Sequence, residues 1–171
     1  MAWNSANQEE PESPSGEGWT PRRREEGEEE KTDLMIETDT LYAHIKKDDW
    51  LKPTAEKLLQ RMAQGEFGVV FTSREVLHEL YYVSMEERVT LEDFISRLAA
   101  LTALPNLKYL DTTTEIDMLA VTLMRQFKIT SIFDAYYAAT ALNAVADHTI
   151  ASTDEVFDKV TGITRIDPRS I

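Results

Sequence analysis

Ser131–Leu142 reads SIFDAYYAATAL. One acid, Asp134, stands ahead of alanines and tyrosines in a run with strong helix-forming character. Ala135, Ala138, Ala139 and Ala141 carry almost no side-chain bulk, so this helix can lie close against a sheet. Asp134 is expected at its N-terminus, where free backbone N–H groups favour a carboxylate. Taken alone the stretch is a capped, buried helix. Its neighbours turn it into a fold.

After it, Thr149–Ala151 is short and β-prone, followed by a short helix near Glu155–Lys159 and a last strand at Ile163–Ile166. Before it, Thr113–Phe127 has helical spacing, and Leu107–Leu110 reads as a strand. Further upstream lie two amphipathic helices, Ser73–Glu87 and Leu91–Leu104, the second behind the cap Thr90 and ended by Pro105. Gly68–Phe71 reads as a buried strand, Pro53–Gln64 as a helix stopped by Gly65, and Thr40–Ile45 as a helical turn. The alternating start, LMIET, is the first strand. Strands separated by helical crossovers predict a mainly parallel sheet covered on both faces. In such sheets the binding crevice lies beyond the carboxyl ends of the strands.

Four acids fall at or near those ends. Asp39 follows the first strand, Glu79 lies in the helix after the second, Asp134 opens the alanine-rich helix, and Asp154 follows the fourth strand. An N-cap is the ordinary explanation for each junction acid taken singly. Glu79 is too far into its helix to cap anything and sits at the rim of the stripe formed by Val76, Leu80 and Val83. A carboxylate there is costly unless it faces a cleft or a cation. Four acids converging on one crevice repel one another, and a hard divalent cation such as Mg²⁺ or Mn²⁺ relieves that repulsion. Such an ion can bind a phosphodiester and activate a hydrolytic water. No HExxH, cysteine cluster, P-loop or GxGxxG competes with this set.

In order along the chain, MIETDTLYA, TSREVLHELYYV, FDAYYAATAL and IASTDEVF resemble the motifs of a PIN domain, most similar to the VapC-type toxin ribonucleases. The resemblance covers about residues 35–166. It implies a three-layer α/β/α fold around a central, mainly parallel sheet and a Mg²⁺- or Mn²⁺-dependent endoribonuclease. The acidic quartet then falls on Asp39, Glu79, Asp134 and Asp154, as both metal ligands and catalytic residues. Ser152 takes the place of the small hydroxyl residue that often precedes the last acid. The resemblance further implies an RNA substrate, a protein antitoxin as partner and a homodimer, with the helices Ser73–Glu87 and Leu91–Leu104 serving both contacts. The tyrosines of FDAYYA are bulkier than the family's usual aliphatics.

Other residues divide between a site role and a plainer one. Thr40, beside Asp39, can hydrogen-bond a metal-bound water or act as a second capping hydroxyl. Glu37 shares a strand face with Asp39 but is read as a solvent-facing strand end, and Glu75 as surface helix charge. Arg74 and Lys46 are candidate phosphate contacts at the cleft rim, with Lys47 and Lys52 nearby. Tyr81, Tyr82, Tyr136 and Tyr137 can stack on a base, although core or dimer packing is the ordinary role for such pairs. His44, His78 and His148 are read as structural.

Composition bounds the rest. The chain has 171 residues, 42% hydrophobic and 29% charged, with no cysteine and a net charge of −13. That suits one ordinary domain, residues 34–171, preceded by an acidic, Pro/Gly/Ser-rich leader, residues 1–33, expected to be disordered. The leader holds ten acids and four bases, a net of −6, so the remainder is itself at −7. This balance argues against broad electrostatic binding of nucleic acid, and an anionic substrate needs either local basic residues or bound cations. Trp3, Trp19 and the Arg22–Arg24 block belong to the leader, which reads as a solvated segment, with Met35 as the expected natural start. Lack of cysteine, of a secretory signal and of any long apolar run is consistent with a cytoplasmic protein away from the membrane. Two rivals remain: a catalytically silent PIN-like scaffold that binds RNA or protein, and a phosphoacceptor receiver. The receiver wants adjacent acids after the first strand, and Glu37 and Asp39 are not adjacent.

Overall fold

A computed structural model describes residues 31–171. The expectations for Trp3, Trp19, Arg22–Arg24 and the rest of residues 1–30 lie outside that range. Five strands, β1 (Leu34–Ile36), β2 (Val70–Ser73), β3 (Leu107–Leu110), β4 (Thr149–Ala151) and β5 (Thr164–Ile166), form one sheet in the order β3-β2-β1-β4-β5. Every pairing is parallel. Six α-helices provide the crossovers: α1 (Thr38–Ile45), α2 (Lys52–Ala63), α3 (Glu75–Glu86), α4 (Leu91–Thr102), α5 (Thr114–Phe127) and α6 (Ile132–Ala144). The result is the three-layer α/β/α arrangement expected.

Burial follows strand position. β1 is central and reads LMI, three apolar residues in succession, each no more than 1% exposed. A strand covered on both faces has no solvent side, so its sequence need not alternate. The edge strands, LKYL and TRI, carry Lys108, Arg165 and Thr164 and are only partly buried. Alanines 135, 138, 139 and 141 of α6 are fully buried, as a helix pressed against its neighbours requires. Their neighbours have no room for larger side chains.

Local chemistry sets the boundaries. Pro53 sits in the first turn of α2, where its missing N–H costs nothing. The Thr90 and Thr113 side chains accept hydrogen bonds from Asp93 N and Ile116 N at the starts of α4 and α5. Ser131, rather than Asp134, caps α6: its hydroxyl accepts from Asp134 N at 3.2 Å. That leaves the Asp134 carboxylate in the first helical turn, free of capping duty. Helix α1 starts at Thr38, earlier than expected, which places Asp39 in its first turn.

Asp33, assigned by sequence to the leader, is 8% exposed and belongs to the folded unit. Its N–H donates to Asp147 Oδ2 at 2.6 Å, and its Oδ1 accepts from Val69 N at 2.7 Å. Met35 lies inside β1, opposite Phe71 on one side and Ile150 on the other. A chain starting at Met35 would lack Leu34 and both Asp33 bonds.

Candidate active site

The chain runs outward from β1 to β2 to β3, then returns to lay β4 on the free side of β1. At that reversal the segments leaving β1 and β4 diverge and open a crevice beyond their carboxyl ends. A cleft of ≈ 310 Å³ lies there, and five carboxylates line it: Glu37, Asp39, Glu79, Asp134 and Asp154. Thr38, Tyr42, Val83 and Thr153 complete the wall. All four predicted acids therefore meet, with a fifth that the sequence reading assigned to solvent. A larger cavity of ≈ 550 Å³ is lined by residues that include one acid, Glu66, so the acid chemistry belongs to the smaller one.

Each acid is held differently. Asp39 Oδ1 accepts from the Thr40 backbone N–H and from Thr40 Oγ1 at 3.1 Å. Its Oδ2 accepts from Thr153 N at 3.1 Å and from Thr153 Oγ1 at 2.6 Å. Thr40 is fully buried, and its hydroxyl is spent on Asp39. Glu79 Oε2 accepts from Tyr137 OH at 2.6 Å, and that hydroxyl also bonds Thr38 Oγ1. Asp154 Oδ1 accepts from Val156 N at 2.8 Å, the cap of the short 3₁₀ helix Glu155–Lys159. The Ser152 hydroxyl, fully buried, accepts from Asp154 N at 2.8 Å. Behind that loop, Arg165 Nη1 donates to Ser152 O at 3.1 Å while its Nη2 pairs with Asp158.

Glu37 differs from the rest. It is 5% exposed, its Oε1 is buried with no hydrogen-bond partner, and its side chain does not cap α1. Burial holds its carboxyl well above the usual range, with the Asp39 charge adding to the rise and a hydrogen bond to Ser152 opposing it. Burial, followed by the Asp154 and Glu79 charges, raises Asp134 from an ordinary 3.8 to about 6. Tyr137, fully buried beside Glu79, is pushed well above its usual value by burial first and then by that carboxylate.

The expected basic residues do not line the cleft. Arg74 pairs with Asp111 at 2.6 Å and Lys46 with Glu87 at 2.7 Å. Tyr137 is inside the core and has no face to offer a base, whereas Tyr81 and Tyr82 are exposed on α3. His78 Nδ1 lies 2.9 Å from Glu75 on the surface, and neither it nor His44 or His148 reaches the cleft.

The donor set is all oxygen, with one buried oxygen unpartnered, and suits a hard cation. Among the described residues, no three Asp, Glu or His side chains yet stand grouped tightly enough to enclose one. Glu79 and Asp154 each spend an oxygen on a hydrogen bond. The fit is one of position and chemistry, and coordination requires those bonds to be exchanged.

A parallel α/β protein with an acid-lined cleft at its strand switch point is the class that the fold and site define. The chain belongs to the PIN domain family, whose sequence pattern matches residues 34–163. No curated protein matches it in sequence. Among solved structures it is similar to Mycobacterium tuberculosis VapC20, described as a sarcin–ricin-loop-cleaving toxin, at 18% identity and a TM-score of 0.56, covering 71% of this chain and 89% of that one. VapBC2 from Rickettsia felis, bound to a promoter DNA fragment, matches at 20% identity and a TM-score of 0.58, covering 78% and 97%. A toxin–antitoxin complex from Klebsiella pneumoniae matches at 15% identity and 0.54, covering 79% and 97%. At these identities the likeness is one of fold.

Proposed function

We propose that this protein is a divalent-metal-dependent endoribonuclease acting as the toxin of a toxin–antitoxin pair. Convergence of five carboxylates at the switch point of a PIN-family sheet carries the reading. Glu79, Asp134 and Asp154, with one acid from the β1–α1 junction, would hold Mg²⁺ or Mn²⁺. Such an ion, when bound, supplies Lewis-acid activation of the phosphodiester and of a water nucleophile. The protein's own part is positional. Tyr137 and Thr38 orient Glu79, Ser131 takes the cap and leaves Asp134 free, and Asp39 ties down the Thr153–Asp154 loop. With no basic residue among the described residues lining the cleft, an RNA phosphate there depends on the cation to offset the acids.

The partners follow the same reading. Leu91 and Ile95 on α4 are 61% and 56% exposed, and Tyr81 and Tyr82 extend the apolar surface onto α3. Such a surface favours an antitoxin segment or a second copy. A cytoplasmic location is part of the toxin reading; no helix among the described residues is long and apolar enough to cross a membrane.

Purified protein incubated with a structured RNA in Mg²⁺, Mn²⁺ or EDTA, alongside Asp134→Asn, tests this. Cleavage should need metal and vanish in the variant. A silent PIN-like scaffold is the competing reading, supported by the absence of a tight acid group among the described residues. It predicts intact RNA in every arm and no metal binding by either protein.

A further inference from the structure

Two acids leave β1 for the cleft, and they are not equivalent. We infer that Glu37 is the β1 acid that ligates the cation, and that Asp39 is a positioning residue holding the Thr153–Asp154 loop. The inference rests on the metal-dependent reading above and assigns its ligand set within this chain.

An ionised carboxylate offers about four lone-pair sites. Asp39 receives four donors: the N–H and hydroxyl of Thr40 on one oxygen, and the N–H and hydroxyl of Thr153 on the other. Its capacity is filled. Ligation by Asp39 would break bonds to Thr153, the residue that delivers Asp154, and so weaken one ligand to gain another. Glu37 has the opposite balance. Its Oε1 is buried without a partner, and it precedes α1 without using its side chain as a cap. No Lys, Arg or His among the described residues lines the cleft to pair with it. A buried carboxylate oxygen with no donor is costly unless something outside the chain meets it. A hard cation in the cleft does so, beside the Asp154 that the Ser152 hydroxyl holds by its backbone N–H.

The test is Mn²⁺ titration by calorimetry on the full chain, with metal-free thermal denaturation as the check on folding. Glu37→Gln keeps the shape and removes the charge. Its Mn²⁺ affinity should fall by more than about 100-fold, beyond the roughly 10- to 100-fold range of an outer-shell change. Asp39→Asn and Thr153→Val should both weaken binding within that outer-shell range, because they loosen the same loop. Thr153→Val is the sharper variant: were Asp39 the ligand, removing a competing donor would leave affinity unchanged or tighter. Wild-type-like affinity in Glu37→Gln, with binding lost in Asp134→Asn, would overturn the assignment and make Glu37 a buried neutral acid. A loss in Asp39→Asn as deep as that in Glu37→Gln, with Thr153→Val unaffected, would overturn it as well. Failure of the wild type to bind Mn²⁺ removes the metal-dependent reading itself, and this inference with it.

Discussion

Asp134→Asn should inactivate the protein and stabilise its metal-free form. The charge on Asp134 is opposed in the fold: burial and the neighbouring Asp154 and Glu79 raise its pKa from 3.8 to about 6. At about 1.4 kcal/mol per tenfold change in proton affinity, the penalty for the charged form is at most about 3 kcal/mol. Asp134 is only partly buried, and solvent screening reduces that ceiling to an expected penalty of about 2 kcal/mol. Its place in the first turn of α6 favours the charge, a benefit of about 0.3–1 kcal/mol that asparagine forgoes. The net gain expected at neutral pH is about 1 kcal/mol, or roughly 2–4 °C in Tm. The pH dependence has a definite sign. Between pH 3.8 and about 6 the folded state holds a proton that the unfolded chain has released, so wild-type stability falls as pH rises through that window and then levels. Urea denaturation without metal should therefore show the variant ahead at about pH 7.5, with its advantage lost near pH 4. Saturating Mn²⁺ should reverse the order, since about 100 Kd of ligand adds about 2.7 kcal/mol to a protein that binds it. A metal-free variant no more stable than wild type at pH 7.5 would refute the claim that this carboxylate is held under electrostatic strain.

Tyr137→Phe removes a hydroxyl that serves both Glu79 and Thr38. A lost hydrogen bond to a charged group costs about 1.5–3 kcal/mol, so Tm should drop by roughly 4–8 °C. An unchanged Tm would show that the bond contributes nothing to the fold. Gly68→Ala would place a Cβ 2.3 Å from Asp33 Oδ1 and 2.9 Å from the Lys31 carbonyl oxygen. Displacing Asp33 disturbs its bond from Val69 N, and a loss of about 1–3 kcal/mol is expected in the urea midpoint. A wild-type midpoint would mean that the segment before β1 yields freely.

The elements were legible because their signals are local. The apolar run at Leu34, the Pro53 start, the Thr90 cap and the Pro105 stop each act within a few residues of where they stand. Ser131 was legible too: it precedes Asp134 by three residues, the spacing at which a hydroxyl caps a helix, yet the acid drew the assignment. Glu37 was not. A carboxylate at the end of a strand ordinarily faces solvent, but β1 has neighbours on both edges and layers on both faces, a property of the whole topology. Tyr137 meets Glu79 across 58 positions and Thr153 meets Asp39 across 114, separations at which no periodicity speaks. The acids were found by residue type; what holds each of them depended on the fold.

Strand order is also an assembly schedule. The first strand made takes the centre of the sheet, and one of its edges waits for β4, more than a hundred positions downstream. The cleft draws its acids from the start, middle and end of the domain: Glu37 and Asp39, then Glu79 and Asp134, then Asp154. A nascent chain that has not yet released Ser152–Asp154 from the ribosome has neither the last acid nor the Thr153 donors that seat Asp39. Whatever chemistry this cleft performs is therefore withheld until that segment has emerged and the domain closes.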